Sequence, residues 1–519
     1  MFDLLIRNAS VFDGSGGPGR VTDVAITGDT IAAVGSMPYA RSQAVLQADG
    51  LSLLPGFIDT HTHSDAVIAN GDLREAALRQ GVTTEIIGSC GIGTVPLTSE
   101  SRAYLDTVKG IIGPLRPEIR TESVRAFFGS TRQCATNYAL QLAHSPLRCT
   151  IAGCHDTELQ PEQLNAMQQA LRGALSQGAC AFTTGLSYFP AAFCNTQELV
   201  ALCRTARDFD APFCIHQRTV TNRYSANIPA PLDEAFAIAK QSGVRLHLSH
   251  YKTRPASLGQ VEQLTQPIER ALDQGLQVTA DFYPFPVGCG YIAVNLPLWV
   301  MDGTPEQILS RLADPTLQQK IAAQMEQEHP SVADGRFTHA PNTPSLLGKT
   351  YTQSAQEMGL RVSQMLVRFL HENALDGGYM PTYQPTREQL ELFYDDCAAL
   401  LRKPYYMVGS DTLPAHGRPH PRSFHTFSTI LSIAKSHALP LGLLAERLSA
   451  APAALFHLQG RGRIAPGCFA DLVLLDPAYQ VRSVWVNGRC TVENGCFRPG
   501  YSGRPLQAVH RPAADRSSL

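Results

Sequence analysis

The chain of 519 residues has no apolar run long enough to span a bilayer. Its first residues, MFDLLIRNASVFDG, place Asp3 and Arg7 around a short apolar stretch, which is not the hydrophobic region of a signal peptide. An excess of one charge is also missing, because the formal net charge is only -2. No basic surface for nucleic acid or an anionic membrane is therefore expected. These absences favour a small-molecule partner.

The thirteen cysteines form no CxxC pair, the spacing found in many redox and structural zinc sites. In a chain of this size without a secretion signal, they indicate reduced thiols and not a disulfide framework. We therefore expect a cytoplasmic protein. The sequence does not define its oligomeric state.

Short strand-like segments are present at both ends of the chain. We expect them to form one small β-sandwich domain from residues 1–54 and 463–519, with a loose tail over the last dozen residues. Two unrelated edge hairpins are the alternative. The segments lie at 4–6, 24–26, 30–34, 470–475 and 483–486, and Gly28-Asp29 and Asn487-Gly488 provide turns.

Between these ends, apolar runs alternate with amphipathic helical stretches, a pattern typical of a parallel sheet with helical crossovers. Eight such runs lie at 55–60, 83–89, 136–143, 180–185, 211–215, 245–249, 277–282 and 405–410. They predict a (β/α)8 barrel over residues 55–462, with catalytic residues at the C-terminal ends of the strands.

The stretch 288–404 is too long for a plain crossover between two barrel strands. It contains helical segments near 305–328, 353–375 and 386–402. Part of this stretch should therefore form an inserted cap.

Histidines follow several of these runs. His61 and His63 come after the first run, and side chains two residues apart on a strand point to the same face. Imidazole suits zinc and similar divalent metals, although this tripeptide alone is as easily a chance arrangement on a buried strand. His216 and His250 end the fifth and sixth runs, on neighbouring strands. His247 would face away from His250 and is expected to be structural.

Cys90 follows the second run, between Gly88 and Gly91, which permit close backbone approach. If the strand stays regular, Cys90 shares a face with Ile86 and Glu85 points the opposite way. A lone cysteine is more often inert core, but with His216 and His250 it offers three zinc ligands. That leaves the fourth tetrahedral position for water, as in catalytic zinc sites.

Asp411 ends the eighth run, after Gly409 and Ser410. Alone, an aspartate in this context is more often an ordinary turn residue. A carboxylate that faces a metal-bound water can take its proton and later pass it to a leaving amine. Beside the histidines, we interpret Asp411 as the catalytic acid and base.

Four further polar groups lie near the predicted strand ends: Lys252, Asp281, Tyr283 and Arg422. Arg422 offers a bidentate fork for a carboxylate, Lys252 a point charge and Tyr283 a hydroxyl donor. Asp281 would repel an anionic ligand, so we expect it to orient neighbouring groups.

With these residues the chain resembles the D-aminoacylases (N-acyl-D-amino-acid deacylases) of the amidohydrolase superfamily, over nearly its whole length. The motifs are LPGFIDTHTHSD (54–65), GVTT (81–84), SCG (89–91), TGLSY (184–188), SHYK (249–252), ADFYP (280–284), GSD (409–411) and HPR (420–422). The segment GRIAPGCFADLVLLDP (462–477) is common to many amidohydrolases and supports only the superfamily.

The resemblance implies two metal positions. A tight zinc position would be held by Cys90, His216 and His250, and a weaker second position by His61, His63 and Asp411. Asp411 would act as general base and acid.

The resemblance also implies a set of substrate-binding residues. Lys252, Tyr283 and Arg422 would surround the substrate, with Arg422 holding the α-carboxylate. Tyr188 would line the acyl or side-chain pocket. Cys289 stands near the carboxylate, where relatives have a serine.

The implied activity is zinc-dependent hydrolysis of N-acyl-D-amino acids to a carboxylate and a free D-amino acid. A cyclic amidohydrolase, such as a hydantoinase or dihydroorotase, is one alternative. Those enzymes usually bridge two metals with a carboxylated lysine on a barrel strand, whereas none of the seven lysines here lies in a predicted strand. A catalytically silent metal-binding barrel is the other alternative, and the complete ligand set argues against it.

Overall fold

The computed structural model describes residues 1–70, 74–219, 231–413 and 417–510. Five strands come first along the chain, and they join four strands near the C-terminus in one nine-stranded sheet. The predicted β domain built from both ends is therefore confirmed, and the alternative of two unrelated hairpins is wrong. The first five strands are β1 Phe2–Val11, β2 Arg20–Thr27, β3 Thr30–Gly35, β4 Ser42–Gln47 and β5 Ser52–Pro55.

Eight parallel strands form a second sheet, in which the strand order follows the chain. This barrel closes where the Thr60 N–H donates to the Val408 carbonyl at 3.3 Å. Each predicted apolar run overlaps one strand of this sheet, so the predicted (β/α)8 barrel is confirmed. The first seven are β6 Phe57–Asp59, β7 Val82–Ile87, β8 Asn137–Ala143, β9 Ala181–Gly185, β10 Phe213–His216, β11 Leu246–Leu248 and β12 Val278–Phe282.

The barrel strands form where apolar residues follow one another without alternation, because both faces of each strand are buried. Every residue of β7 and β8 is buried. Several of the covering helices begin at a polar cap; the Asn195 side chain, for example, accepts from the Glu198 N–H at 2.9 Å. The helices up to β12 are α1 Glu75–Arg79, α2 Tyr104–Thr107, α3 Lys109–Ile112, α4 Val124–Ser130, α5 His144–Ala152, α6 Pro161–Ser176, α7 Thr196–Asp208, α8 Pro231–Ser242 and α9 Val261–Asp273.

An insertion before the eighth barrel strand forms a cap with its own hydrophobic core. Ile308, Phe337 and Phe369 are buried in it, and Tyr104 joins them from α2, between β7 and β8. The strands of the cap sheet are β13 Gly290–Tyr291, β14 Gly335–His339 and β15 Gly378–Pro381. Its helices are α10 Pro305–Ala313, α11 Pro315–Glu328, α12 Tyr351–Met358 and α13 Val362–Glu372.

The last part of the predicted insertion belongs to the barrel. Helix α14, Arg387–Arg402, packs Phe393 and Leu400 into the barrel core. It leads directly into the eighth barrel strand, β16 Tyr406–Val408. The remaining elements are α15 Arg422–Ser436, α16 Leu441–Ala445, α17 Ala451–Leu455, β17 Leu472–Leu475, β18 Val481–Val486, β19 Arg489–Glu493 and β20 Cys496–Phe497.

The C-terminal segment crosses the end of the barrel where the strands begin. The Leu506 N–H donates to the Tyr138 carbonyl at 2.7 Å, and the Ala508 N–H to the Gly178 carbonyl at 3.0 Å. The chain is thus held against the barrel as far as His510, and the rest of the predicted loose tail lies outside the described residues. Within the described ranges, no helix combines the length and apolar character needed to cross a membrane.

Cys149 and Cys154 form a disulfide at the end of α5. This corrects the expectation that the cysteines are all reduced thiols. The chain reverses at Gly153, whose φ is 76°, and this turn brings the two Cα atoms within 4.8 Å. The other eleven cysteines are free.

Candidate metal centre and active site

The carboxyl ends of the barrel strands bring the predicted metal ligands together. These residues come from the ends of five different barrel strands. Their spacing in the sequence does not by itself show that all six side chains meet. His61 and His63 follow β6, Cys90 follows β7, His216 ends β10, His250 follows β11 and Asp411 follows β16.

The three residues predicted to hold the tight zinc lie close to one another. The Cys90 Sγ lies 3.6 Å from the His216 Nδ1 and 3.5 Å from the His250 Nε2, and the two nitrogens lie 2.8 Å apart. Ligand atoms around one tetrahedral zinc stand roughly 3.3–3.6 Å apart, given the usual zinc bond lengths. Both sulfur–nitrogen distances match this range. The two imidazole nitrogens, 2.8 Å apart, would have to move slightly apart to bind one zinc.

His61 connects this cluster to the remaining ligands. Its Nε2 lies 3.2 Å from the Cys90 Sγ and 3.6 Å from the Asp411 Oδ1. The His63 Nε2 lies 3.4 Å from the same carboxylate oxygen. Nitrogen, sulfur and oxygen atoms of the kinds that bind divalent metals therefore lie in one continuous cluster.

A third group of potential ligands, His144, Cys194 and Glu198, lies outside this site. The Glu198 carboxylate already receives the Arg148 Nη1 at 2.6 Å and lies 2.8 Å from the His144 Nε2. The other ring nitrogen of His144, Nδ1, lies 2.9 Å from the Thr184 Oγ1, so both imidazole nitrogens already have protein partners. This group is a structural polar network.

Three of the ligand residues adopt left-handed backbone conformations, with φ of 56° at Cys90, 40° at His250 and 53° at Asp411. Such conformations cost about 1–3 kcal/mol each and persist where surrounding contacts impose them. The regular continuation of β7 through Cys90 does not occur, because the strand ends at Ile87 and Cys90 lies in a tight turn. Glu85 points away from the ligands, as expected, and bonds Arg74 at 2.8 Å.

Asp281 contacts two of the predicted ligands, His61 and His250. Its Oδ2 lies 3.4 Å from the His61 Nδ1 and 3.0 Å from the His247 Nε2, and its Oδ1 accepts from the His250 N–H at 2.5 Å. Burial alone would raise the pKa of Asp281, but His61 and His247 hold that pKa below its ordinary value. Both expectations for this region, an orienting Asp281 and a structural His247, agree with these contacts.

Burial and charged neighbours together set the pKa values of the predicted histidine ligands. Burial lowers the pKa of His250 to about 3, and burial together with His250 lowers the pKa of His216. Burial opposes protonation of His61 as well, but Cys90 and Asp281 raise its pKa above the ordinary value. Neutral imidazoles are the form that binds metal ions.

Asp411 has a different partner on each oxygen. While Oδ1 faces His61 and His63, Oδ2 lies 2.7 Å from the Arg422 Nη1. Burial would raise the pKa of Asp411, but the guanidinium holds that pKa well below its usual range. Arg422 is the first residue of α15, and its Nη2 also donates to the Cys289 carbonyl at 3.4 Å.

The predicted anion-binding groups also come together. The Lys252 Nζ and the Arg422 Cζ both lie near the Tyr283 ring, 4.6 Å and 4.9 Å from its centroid. The Lys252 Nζ donates to the Pro286 carbonyl at 3.4 Å. Burial lowers the pKa of Lys252 to about 7.

Tyr188 and Cys289 lie on the cap side of the site. The Tyr188 hydroxyl is 3.3 Å from the His216 Nδ1, and its ring lies 5.9 Å from that of Tyr291 on β13. Cys289 lines a small cavity of about 30 Å³ together with Leu413 and His420. No sequence motif predicted Tyr291, on the cap strand β13, or Leu413, two residues after Asp411.

No family model matches the chain. A curated N-acyl-D-glutamate deacylase from Alcaligenes xylosoxydans xylosoxydans is 30% identical over 485 residues, which cover 91% of this chain and 87% of that protein. A D-aminoacylase, solved to examine the role of its binuclear metal centre, is 26% identical with a TM-score of 0.79 and covers 98% and 100% of the two chains. The N-acyl-D-glutamate deacylase of Bordetella bronchiseptica, complexed with zinc and a phosphonate mimic of the tetrahedral intermediate, is 26% identical, with a TM-score of 0.78 and the same coverage.

Proposed function

Because the chain belongs to the D-aminoacylase family of the amidohydrolases, we propose that it hydrolyses the amide bond of N-acyl-D-amino acids. The products are a carboxylate and a free D-amino acid. The observation that carries this proposal is the position of Asp411 between the Cys–His cluster and Arg422. One of its oxygens faces His61 and His63, and the other pairs with Arg422.

Zinc is the proposed cofactor. Cys90, His216 and His250 would hold it tightly, and His61, His63 and Asp411 would form a weaker second position. When bound, zinc supplies Lewis-acid polarisation of a carbonyl and makes water acidic enough to attack near neutral pH.

Asp411 is the proposed proton carrier. Its Oδ1 faces the ligand cluster, so it can accept a proton from the attacking water and return it to the leaving nitrogen. Both transfers involve the same carboxylate, which ends the cycle in its starting form.

Arg422 is the proposed clamp for the substrate α-carboxylate, with Lys252 and Tyr283 beside it. Its guanidinium can bind a carboxylate through two parallel hydrogen bonds. With the carboxylate at Arg422 and the acyl carbonyl at the ligand cluster, the two enantiomers would direct their side chains to different parts of the site. This arrangement would select D-amino acids.

The two alternatives have less support. All seven lysines lie in described parts of the chain, and none lies in a strand, so no lysine is available to bridge metals as in the cyclic amidohydrolases. A silent barrel would have no need for Arg422 paired with a carboxylate that also faces the ligand cluster.

We also propose a cellular location and domain bounds for the chain. A cytoplasmic location would keep the Cys90 thiol reduced and able to bind metal, and the Cys149–Cys154 disulfide would be an exception among the thiols. Residues 1–54 and 463–519 would form the β domain, and 55–462 the catalytic barrel.

The test is amine release by zinc-loaded protein from N-acetyl-D-methionine, N-acetyl-D-glutamate and their L forms, with a hydantoin as a further substrate. We expect turnover of D substrates only. Opening of the hydantoin would favour a cyclic amidohydrolase. Bound zinc without any turnover would favour the silent barrel.

A further inference from the structure

Asp59 is a buried carboxylate that touches none of the metal-ligand atoms. It is the last residue of β6 and is 4% exposed. Its Oδ1 accepts two hydrogen bonds, from the backbone N–H of His61 at 3.2 Å and from that of Ser410 at 2.8 Å. One oxygen therefore joins two segments that are far apart in the sequence.

These two segments form the seam between the first and last strands of the barrel. The Asp411 N–H donates to the His61 carbonyl at 2.8 Å, and the His63 N–H to the Thr412 carbonyl at 2.9 Å. One residue before these backbone contacts, the Ser410 N–H donates to the Asp59 side chain. The carboxylate thus spans the seam immediately before Asp411.

The local backbone explains why a side chain is needed there. Asp411 has a φ of 53°, so the chain leaves the strand conformation at this residue. The strands also approach closely, because a Cβ added at Gly409 would lie 2.5 Å from that of His61. A buried N–H in such a turn needs a partner outside the regular ladder, and Asp59 provides it.

We propose that Asp59 is a positioning residue that fixes Asp411 relative to His61 and His63. The inference rests on the proposed function only in treating these three residues as the second metal position and Asp411 as the proton carrier. Loss of the Asp59 acceptor frees the Ser410 N–H and lets the Asp411 turn shift. The Cys90 turn is not held by Asp59 and stays in place.

Asp65 provides a matched control from the same motif. It is also fully buried, but its Oδ2 accepts from the Gly88 N–H at 3.1 Å. Gly88 begins the turn that carries Cys90. The two aspartates therefore support opposite sides of the metal centre, and their loss should produce different metal defects.

The test compares full-length Asp59→Ala, Asp59→Asn and Asp65→Ala proteins. Zinc retained at graded chelator concentrations is measured without substrate, and the absorption spectrum is recorded after cobalt substitution. Loss of an outer-shell partner typically lowers metal affinity or activity by about 10–100-fold. We expect Asp59→Ala to lower the affinity for the second metal by about 10–100-fold and to leave the affinity for the tight metal unchanged. Asp65→Ala should lower the affinity for the tight metal.

Asp59→Asn keeps an oxygen that can accept from both N–H groups, so it should restore second-metal affinity to within about threefold of the wild type. In steady-state kinetics, Asp59→Ala should lower kcat by about tenfold or more and change KM little, because the substrate-binding groups are untouched. If Asp59→Ala does not fold, Asp59→Ser, whose hydroxyl cannot span both groups, replaces it.

Unchanged second-metal affinity in the alanine or serine variant would overturn the proposal. So would an asparagine variant as defective as alanine, or equal loss of both metals together with a lower Tm. Metal binding is read without substrate, so the predicted metal pattern in a protein that cleaves no N-acyl-D-amino acid would reject the proposed function and retain the inference about Asp59.

Discussion

At the scale of single residues, the contacts of Asp411 separate metal binding from proton transfer. Its two oxygens face different partners, two histidines and Arg422. We expect Asp411→Asn to keep the tight zinc, because Cys90, His216 and His250 are unchanged. General acid–base catalysis typically contributes about 10²–10⁴-fold, so kcat should fall by at least about 10²-fold.

Metal analysis and steady-state kinetics on the same preparation check this prediction. Asp395→Asn, a surface change on α14, is the control and should keep full activity. An Asp411→Asn enzyme with wild-type kcat would remove Asp411 from the proton-transfer role.

Cys90 and Cys214 form a matched pair of buried free thiols. Cys90 lies within 3.6 Å of three histidine nitrogens, whereas Cys214 packs with the apolar core at the opposite end of the barrel. Cys90→Ala should release the tight metal, since zinc loses its only thiolate ligand. Cys214→Ala should retain about one zinc per chain. Metal content after gel filtration would contradict the assignment if both variants kept zinc equally.

Arg422 tests whether the shape of a cation matters as well as its charge. Arg422→Lys keeps the charge but loses the fork that matches a carboxylate. We expect KM for N-acetyl-D-amino acids to rise by about tenfold or more, since each lost charge-assisted hydrogen bond weakens binding by about 1.5–3 kcal/mol. Arg418→Lys, four residues earlier and exposed, should leave KM unchanged. Equal KM values in the two variants would exclude the clamp.

At the scale of elements, strands could be predicted from the sequence and turns could not. The apolar runs mark all eight barrel strands, because a strand buried on both faces requires apolar residues at successive positions. The left-handed turns at Cys90, His250 and Asp411 depend on tertiary contacts, such as the hydrogen bond from the His250 N–H to Asp281. Motif resemblance predicted the ligands without revealing these conformations.

The C-terminal segment is another element that the sequence did not reveal, since its apolar residues are few and follow no period. Leu506 is 9% exposed and packs with Ile58 and Phe456. Leu506→Ala should destabilise the protein by about 2–3 kcal/mol, towards the lower end of buried leucine truncations. Val509→Ala, at a position 48% exposed, should change stability by no more than about 0.5 kcal/mol. Urea unfolding midpoints check both predictions. Similar changes of the midpoint in the two variants would mean that packing of the C-terminal segment against the barrel does not stabilise the protein.

At the scale of the whole molecule, one polar network joins the β domain to the barrel. Asp471 lies at its centre and pairs with Arg461, while the Asn137 Nδ2 on β8 donates to its Oδ2 at 3.1 Å. The Asn487 N–H donates to the other oxygen at 2.8 Å. Asp471 belongs to the segment shared by many amidohydrolases, and these contacts give that segment a physical role in docking two domains.

Asp471→Ala should therefore destabilise the whole molecule and leave the metal ligands in place. Removal of one partner of a buried ion pair typically costs about 3–5 kcal/mol, because the other charge stays buried without compensation. Arg461 is 5% exposed and would be that charge. Asp49→Ala, an exposed change in the same β domain, is the control and should alter Tm little. If Asp471→Ala kept the wild-type Tm, or lost zinc before it unfolded, the network would not be what joins the β domain to the barrel.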